Sequence, residues 1–213
     1  QRITGILAQY RVAASALSVG RRAAAKRLAS AVTSLMRQLG MPGGRFEISV
    51  ESNAAADPLQ DGADRLEFLV SANPGQPVKP VAKVASGGEL SRISLAVQVA
   101  AAHRQAETCM IFDEVDAGIG GGVAEIVGRK LRELADRGQV LCVTHLAQVA
   151  SQAHHQLRVS KLTDGRASRT IVTSLGADER IEELARMLGG VEITRKAREH
   201  AREMLRTAGA AAR

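Results

Sequence analysis

Three short motifs in a fixed order constrain the fold of this chain more than any other feature. The first, Ser86-Gly87-Gly88-Glu89, directly precedes a helical pattern. In the second and third, residues 109–114 and 141–145, apolar strands end in Asp113-Glu114 and in His145. Polar residues after apolar strands are typical of α/β proteins, which bind ligands at the carboxyl ends of parallel strands. The motifs therefore predict an α/β fold with its chemistry at one edge of a sheet.

Composition narrows the class of protein. The chain has 213 residues, of which 45% are hydrophobic, enough to form a packed core. Its 29 basic and 22 acidic residues give a formal charge of +7, which favours polyanionic partners such as nucleic acid, although solubility alone explains it equally well. Aromatic residues make up only 2%, which argues against a platform that stacks single-stranded bases. Any DNA contact should therefore be mainly electrostatic.

Cysteine spacing and hydropathy exclude further classes of site. Cys109 and Cys142 lie in short apolar runs typical of buried strands, so we interpret them as packing residues rather than zinc ligands or a disulfide. No apolar run approaches the roughly 18 residues of a membrane helix, and no signal-peptide layout begins the chain. We therefore expect a cytoplasmic protein without a membrane partner.

The first 40 residues predict a helix that Gly40 ends. Its apolar stripe, with alternating spacings of four and three, fits either a coiled-coil seam or an ordinary amphipathic helix; the stripe comprises Leu28, Val32, Leu35 and Leu39. Period-two patterns predict a hairpin of residues 46–50 with 65–70, and a second of 157–162 with 168–174 around an Asp-Gly turn.

The remaining elements alternate between helix and strand. Helical patterns follow Glu89 and cover 123–135, with a short helix near Leu146, while 108–112 and 139–144 read as buried strands. Two further helices cover about 178–188 and about 194–207, the second with Thr194 as its N-cap. This rhythm predicts a mostly parallel sheet with flanking helices.

The polar residues of the three motifs suit nucleotide chemistry. Asp113 could hold a magnesium ion, commonly through water, and Glu114 could orient or deprotonate an attacking water. Ser86 and the following glycines, at a helix start, could bind a phosphate, and His145 could contact one. Taken singly, each motif is more often explained by structure alone, as a turn with a helix cap, an acidic strand end or a core histidine.

Taken together, with 27 residues from Ser86 to Asp113 and 32 more to His145, the motifs resemble the second half of an ABC-type ATPase head. The sequence segments around the motifs are similar to those of the bacterial RecN family of DNA-repair proteins, which are relatives of the SMC and Rad50 ATPases. The quoted segments are VASGGELSR from Val84, IFDEVDAGI from Ile111, VTHLAQVA from Val143 and LEFLVSANPG from Leu66.

The resemblance implies a role for each motif residue. Glu114 would be the catalytic carboxylate, Asp113 would lie on the magnesium side, and His145 would contact the γ-phosphate of ATP. The signature loop and the D-loop would bind ATP held by a second head, so that the nucleotide is sandwiched between two subunits; these residues are Ser86, Gly87, Gly88, Glu89 and Asp116. Mg²⁺ would be the cofactor, DNA the target, and repair of double-strand breaks and recombination the context.

One motif of such a head is missing. No G-x-x-x-x-G-K-[ST] phosphate loop occurs in the chain, and the nearest approximation, residues 122–130, has Val127 where the second Gly is needed. We therefore expect residues 41–213 to be the carboxyl-terminal lobe of an ABC-type head and residues 1–40 the end of a coiled coil. An amino-terminal lobe would supply the phosphate loop, and this chain alone should hydrolyse no ATP. The alternative is a non-catalytic DNA- or partner-binding fragment of another SMC-like or Rad50-like protein.

Overall fold

The computed structural model describes residues 2–53, 57–84, 86–101, 109–163, 168–189 and 192–210. The chain folds as two compact units, residues 1–103 and 104–213. Helices and small sheets occur in both units, which confirms the predicted α/β class. The predicted Asp-Gly turn and the predicted first strand residue, Thr108, lie outside the described residues.

The first unit pairs a long helix with an antiparallel sheet. Its elements are α1 (Arg2–Gln38), β1 (Arg45–Ser52), β2 (Asp64–Ser71), β3 (Lys79–Pro80), a 3₁₀ turn (Val81–Lys83) and α2 (Gly87–Ala101). The strand order is β1-β2-β3, and Ile48 pairs with Phe68 in the register of β1 with β2. The first predicted hairpin is thereby confirmed, with strands longer than the period-two pattern indicated.

Helix α1 ends where the sequence predicts, and its last turns pack onto the sheet. Gly40 has a φ of 84°, and the Met41 N–H donates to the Met36 carbonyl at 3.0 Å, as in a Schellman motif. Val32, Met36 and Leu39 are completely buried, and α1 packs against β1 and α2. None of the helices in the described ranges, α1 included, has the length and apolar character that crossing a bilayer requires.

The second unit contains one parallel and one antiparallel strand pair. Its elements are β4 (Cys109–Phe112), α3 (Gly121–Ala135), β5 (Gln139–Cys142), α4 (Ala147–Ala150), β6 (Leu157–Thr163), β7 (Ser168–Ser174), α5 (Ala177–Leu188) and α6 (Arg195–Ala210). Strands β4 and β5 are parallel, with Phe112 opposite Cys142, whereas β6 and β7 form the second predicted hairpin. Parallel pairing is thus confirmed for the two strands that precede the candidate site.

Close packing fixes the segment that follows β5. A Cβ on Gly128 of α3 would lie 2.7 Å from the Gln152 side chain, so glycine is needed for this approach. Leu184 and Ala201 bring α5 and α6 together in a buried cluster that includes Ala147 and Ala150 of α4. Thr194 accepts a hydrogen bond from the Ala197 N–H at 3.1 Å, which confirms it as the N-cap of α6.

The expectation that β4 and β5 are buried strands is wrong for one face of the pair. Phe112 is buried, but Ile111 is 72% exposed, and Cys109, which the sequence placed among packing residues, is exposed. Leu141, on β5, and Val143, directly after β5, are also exposed. Successive side chains of a strand point to opposite faces, so one face of this strand pair packs inside the unit while the other faces outward.

Candidate functional site

The candidate site of the second unit lies at the carboxyl ends of β4 and β5. Asp113 and Glu114 follow β4 directly, and both residues are exposed. The Val143 N–H donates to the Phe112 carbonyl at 3.0 Å, which continues the strand pairing one step beyond β5. The chain after β4 and the chain after β5 therefore leave the sheet side by side, as the parallel arrangement predicted.

Glu114 has an unusual backbone conformation. Its φ of 55° makes it the one non-glycine residue with positive φ in the described ranges. The Glu114 N–H donates to Asp113 Oδ1 at 2.9 Å, and the Glu114 carbonyl accepts from the Ala117 N–H at 3.0 Å. The left-handed region is costly for a residue with a Cβ, and such strain is concentrated at functional sites.

Asp116 joins the two loops through its buried carboxylate. The side chain is only 3% exposed, and its Oδ2 accepts hydrogen bonds from the Thr144 hydroxyl at 2.5 Å and from the His145 N–H at 3.0 Å. His145 Nδ1 lies 3.3 Å from the same oxygen, while the imidazole is 71% exposed. These contacts explain why β5 ends at Cys142 and not at Thr144, where the sequence pattern ended the strand. They also hold the outward-facing imidazole in place.

Thr144 was not singled out by sequence reasoning. Its hydroxyl donates to Asp116 and accepts from the Leu146 N–H at 3.0 Å, so it links both sides of the turn before α4. The available signal was a hydroxyl residue directly before a histidine at a strand end. That signal is weak because Thr is frequent in strands for reasons of packing.

Cys142 lies beside the site but has no reactive thiolate. Burial raises the pKa of its thiol to about 12, and the negative charges of Asp116 and Asp113 act in the same direction. The thiol is therefore protonated and weakly nucleophilic at neutral pH. Cys142 thus behaves as the packing residue that the sequence predicted.

Oxygen donors at the site suit magnesium, but they do not form a complete cage. No group of three His, Cys, Asp or Glu side chains in the described ranges could enclose a metal ion. Magnesium ions are commonly held by one or two carboxylates together with water and substrate phosphates. Asp113, an exposed carboxylate after β4, fits the role of one such ligand.

The Ser86 loop belongs to the first unit and starts α2. Ser86 Oγ accepts from the Glu89 N–H at 3.3 Å, which is the geometry of a helix N-cap. Gly87 is exposed and Gly88 is buried, and both lie in the first turn of α2. The capping role is confirmed, and the same turn presents N–H groups and the positive end of the helix dipole.

The region closest in spacing to a phosphate loop has a different structure. Gly122 and Lys130 both lie within the continuous helix α3, so the glycines there do not cradle a ligand in a loop. Gly118, with a φ of 73°, and Gly121, with a φ of 54°, instead shape the turn between Asp116 and α3.

The sequence is similar to those of bacterial DNA repair proteins. It is 48% identical over 204 residues to the DNA repair protein RecN of Xylella fastidiosa strain 9a5c, covering 96% of this chain and 37% of that protein. It is 48% identical over 198 residues to RecN of Haemophilus influenzae, covering 92% and 35%, and 44% identical over 207 residues to RecN of Streptomyces coelicolor, covering 92% and 36%. No protein-family model matches the chain.

This chain belongs to the RecN family. It spans little more than a third of the length of these RecN relatives. The SMC head domain from Pyrococcus yayanosii superposes on the RecN-family chain with a TM-score of 0.53 and 25% identity, covering 75% of this chain and 28% of that one. The SMC head domain from Pyrococcus furiosus superposes with a TM-score of 0.51 and 23% identity, covering 74% and 37%. The fold is therefore that of an SMC-type ABC ATPase head.

Proposed function

We propose that this chain is the carboxyl-terminal part of an ATP-hydrolysing head that acts in DNA double-strand-break repair and recombination. The observation that carries the proposal is the arrangement at the ends of β4 and β5. There, two exposed carboxylates and an exposed imidazole follow neighbouring parallel strands, and the Asp116 carboxylate joins the loop after β4 to the loop after β5. The RecN relatives are named as DNA repair proteins, which supports the cellular role.

Each side chain has a distinct task in the proposed hydrolysis. Glu114 orients and accepts a proton from the water that attacks the γ-phosphate, while Asp113 holds Mg²⁺, directly or through water. Mg²⁺ supplies charge neutralisation on the phosphates when it is bound. His145 contributes a polar contact next to the terminal phosphate. The left-handed turn at Glu114 supports this assignment because strained backbone conformations are concentrated at functional sites.

The Ser86 loop is proposed to act on ATP bound by a second head. Gly87 leaves space for a phosphate to approach the backbone, and the start of α2 offers N–H groups and a positive dipole end. Ser86 and Glu89 would flank the same phosphate, and Asp116 would contribute from the D-loop side. One solved structure, from work on ATP-driven dimerisation of SMC ATPases, superposes on this chain with a TM-score of 0.50 and 19% identity, which supports the shared fold.

The outward face of β4 and β5 has the apolar character of a surface that another lobe covers. Ile111 and Val143 are 72% and 63% exposed, and Leu141 adds a third exposed apolar side chain on the same face. Clustered apolar surface of this kind usually marks an interface. We propose that the amino-terminal lobe, which carries the phosphate loop, covers this face in the whole protein.

The function is tested with a chimera in which this chain replaces the aligned segment of Xylella fastidiosa RecN. The chimera should hydrolyse ATP, the isolated chain should not, and Glu114→Gln should reduce kcat of the chimera by about 10²-fold or more. Glu133→Gln, which removes an exposed carboxylate on α3, serves as the matched control and should leave kcat unchanged. Hydrolysis by the isolated chain, or full activity of the Glu114→Gln chimera, would contradict the proposal.

A second candidate function is DNA binding through α1. This helix contains seven Lys and Arg residues and no Asp or Glu, and outside it 22 basic residues balance 22 acidic ones. The whole formal charge of +7 is thus concentrated on one element. An elongated cationic helix is complementary to a phosphate backbone. DNA contact by this helix would place the protein on the nucleoid in the cytoplasm and is compatible with the ATPase role.

A further inference from the structure

We propose that the hollow between the last turns of α1 and the start of β1 binds a backbone phosphate of a nucleic acid, with Arg37 and Arg45 as its cationic contacts and Glu47 as the residue that weakens its affinity. The proposal rests on DNA binding through α1, the second candidate function. It adds to that function a defined place for one phosphate, a contact from outside the helix and an opposing charge.

Small side chains of α1 leave the space for the hollow, which has a volume of about 360 Å³. Its helix side is lined by two rows of residues with a spacing of four, Ala29, Thr33 and Arg37 in one row and Ser30 and Ser34 in the other. Residues four apart lie on the same face of a helix, so the two rows form one continuous wall. At about 30 Å³ for each water molecule, the hollow has room for about twelve of them, which is enough for a phosphate group and part of its hydration shell.

The strand side of the hollow is fixed to the helix. The Phe46 N–H donates to Thr33 Oγ1 at 3.0 Å, and Phe46 is only 2% exposed. Arg45 and Glu47, the neighbours of Phe46 on β1, both line the hollow. Successive side chains of a strand alternate between its two faces, so burial of Phe46 leaves both neighbours on the other face. The backbone positions of both charged residues relative to α1 are therefore set by a buried contact.

The donors of the hollow suit a phosphate. Arg37 is exposed, and no carboxylate in the described part of the chain pairs with it. Arg45 has a side chain that is 60% exposed, and its Nε lies 3.0 Å from Glu47 Oε1, which leaves the terminal nitrogens of the guanidinium to bind an anion. Ser30 and Ser34 add hydroxyl donors on the helix side. Guanidinium groups bind phosphate oxygens through charge-assisted hydrogen bonds, so this donor set favours a phosphate ligand.

Glu47 opposes binding in two ways. Its carboxylate repels a phosphate that enters the hollow, and it pairs with Arg45. Both effects end when the charge of Glu47 is removed. The phosphate affinity of the hollow should therefore rise in a variant without this carboxylate.

The surroundings of the hollow favour a polymer of phosphates over a free phosphate. Arg22, Lys26 and Arg37 are exposed and are separated by 4 and 11 residues on α1, which is about one turn and three turns. The hollow therefore continues the face that carries these cations. Lys26 and Arg37 are about 16 Å apart along the helix axis. One strand of a duplex has a phosphate about every 3.4 Å along its axis, so a backbone can contact both cations, whereas a single phosphate cannot.

The first test is duplex binding by the chain, measured by fluorescence anisotropy with a labelled duplex of about 20 base pairs at low salt. Arg37→Gln and Arg45→Gln should each raise Kd about three- to tenfold, because each removes a charge-assisted contact to a phosphate. Arg195→Gln is the matched control, since it removes an exposed cation from α6 that already pairs with Glu199. It should change Kd by less than about twofold.

The second test has the opposite sign. Glu47→Gln should lower Kd about two- to threefold, a gain that a loss of folding cannot produce. Glu199→Gln is its matched control, because it also releases an exposed arginine, Arg195, from an ion pair and changes the net charge by the same amount. It should leave Kd unchanged. Equal gains in the two variants would overturn the proposal in favour of net charge alone.

The source of the phosphate is tested by nuclear magnetic resonance of the isotope-labelled chain. The duplex should shift the amide signals of residues 30–37 and 45–47. Inorganic phosphate, at the same concentration of phosphate groups and the same ionic strength, should not. Saturation of these shifts by inorganic phosphate would overturn the assignment to a nucleic acid.

The outcomes separate this proposal from the functions on which it rests. An unchanged Kd in Arg37→Gln and Arg45→Gln would overturn the proposal and leave DNA binding by Arg22 and Lys26 standing. No duplex binding by the unsubstituted chain would overturn both. None of these measurements needs ATP, so a chimera without ATPase activity would count only against the proposed hydrolysis.

Discussion

At the scale of single residues, the left-handed backbone conformation of Glu114 lowers the free energy of unfolding. A residue with a Cβ in the left-handed region is disfavoured by roughly 1–2 kcal/mol, whereas glycine is not. We therefore expect Glu114→Gly to be more stable than Glu114→Ala by about 1 kcal/mol in denaturant unfolding.

The matched control for this pair is Arg129, which lies in the interior of α3 and is exposed. There the order should be reversed, with Arg129→Gly less stable than Arg129→Ala by about 1 kcal/mol. The same order at both positions would show that the φ of 55° at Glu114 does not govern its stability.

The residues of the candidate site differ in how visible they are in the sequence. Asp113, Glu114 and His145 could be found because a parallel strand order places consecutive strand ends together. The bond between Asp116 and Thr144 could not be found, because it depends on the course of two loops separated by 28 positions in the sequence. The same bond explains the overestimated length of β5, since local strand propensity does not register a distant buried acceptor.

At the scale of elements, helix α1 is hydrogen-bonded to the start of β2 through the buried carboxylate of Asp64. Asp64 accepts from the Ser18 hydroxyl at 2.6 Å and from Arg21 at 3.1 Å, and Arg21 also donates to the Asp61 carbonyl at 2.8 Å. The hydrogen bond from Ser18, followed by those from other neighbours and the charge of Arg21, lowers the pKa of Asp64 below its ordinary value of 3.8. The loop contacts were not visible in the sequence, whereas the helix itself was.

This contact predicts a pH-dependent attachment of α1. Because the pKa of Asp64 is lowered by folding, its contribution is complete above pH 3.8 and is lost as the pH falls through the lower folded pKa. Asp64→Asn should raise amide hydrogen exchange around Ser18 by about three- to tenfold at neutral pH, with little change around Met36.

The difference between the chain and the Asp64→Asn variant should shrink as the pH is lowered below 3.8, because protonation then removes the same charge. Glu199→Gln, which breaks an exposed pair with Arg195 on α6, is the charge-matched control. It should leave exchange in α1 unchanged at every pH. A pH-independent difference at Ser18 would mean that the Asp64 charge is not responsible.

At the scale of the whole molecule, four exposed cations share one face of α1, whereas exposed apolar residues lie on more than one face. Ile3, Ile6 and Leu17 are exposed apolar residues on the first half of the helix and fit the expected coiled-coil partner. Arg11, Arg22, Lys26 and Arg37 are exposed and separated by 11, 4 and 11 residues, which is about three turns, one turn and three turns. The four cations therefore share one face that extends about 39 Å along the helix.

The shared face predicts how DNA binding depends on salt. Each phosphate that a cation neutralises contributes about 0.9 to the slope of log affinity against log salt concentration. The double variant Arg22→Gln/Lys26→Gln should therefore reduce the slope by about 1.8, measured by fluorescence anisotropy with a labelled duplex of about 20 base pairs.

The double variant Arg195→Gln/Arg206→Gln removes the same charge from α6, where Glu199 and Glu203 already pair with these guanidinium groups. It should change the slope by much less, because its cations are already compensated. Equal losses in the two variants would mean that net charge, and not the α1 face, attracts DNA, and an unchanged slope in the α1 variant would exclude this face as the phosphate contact.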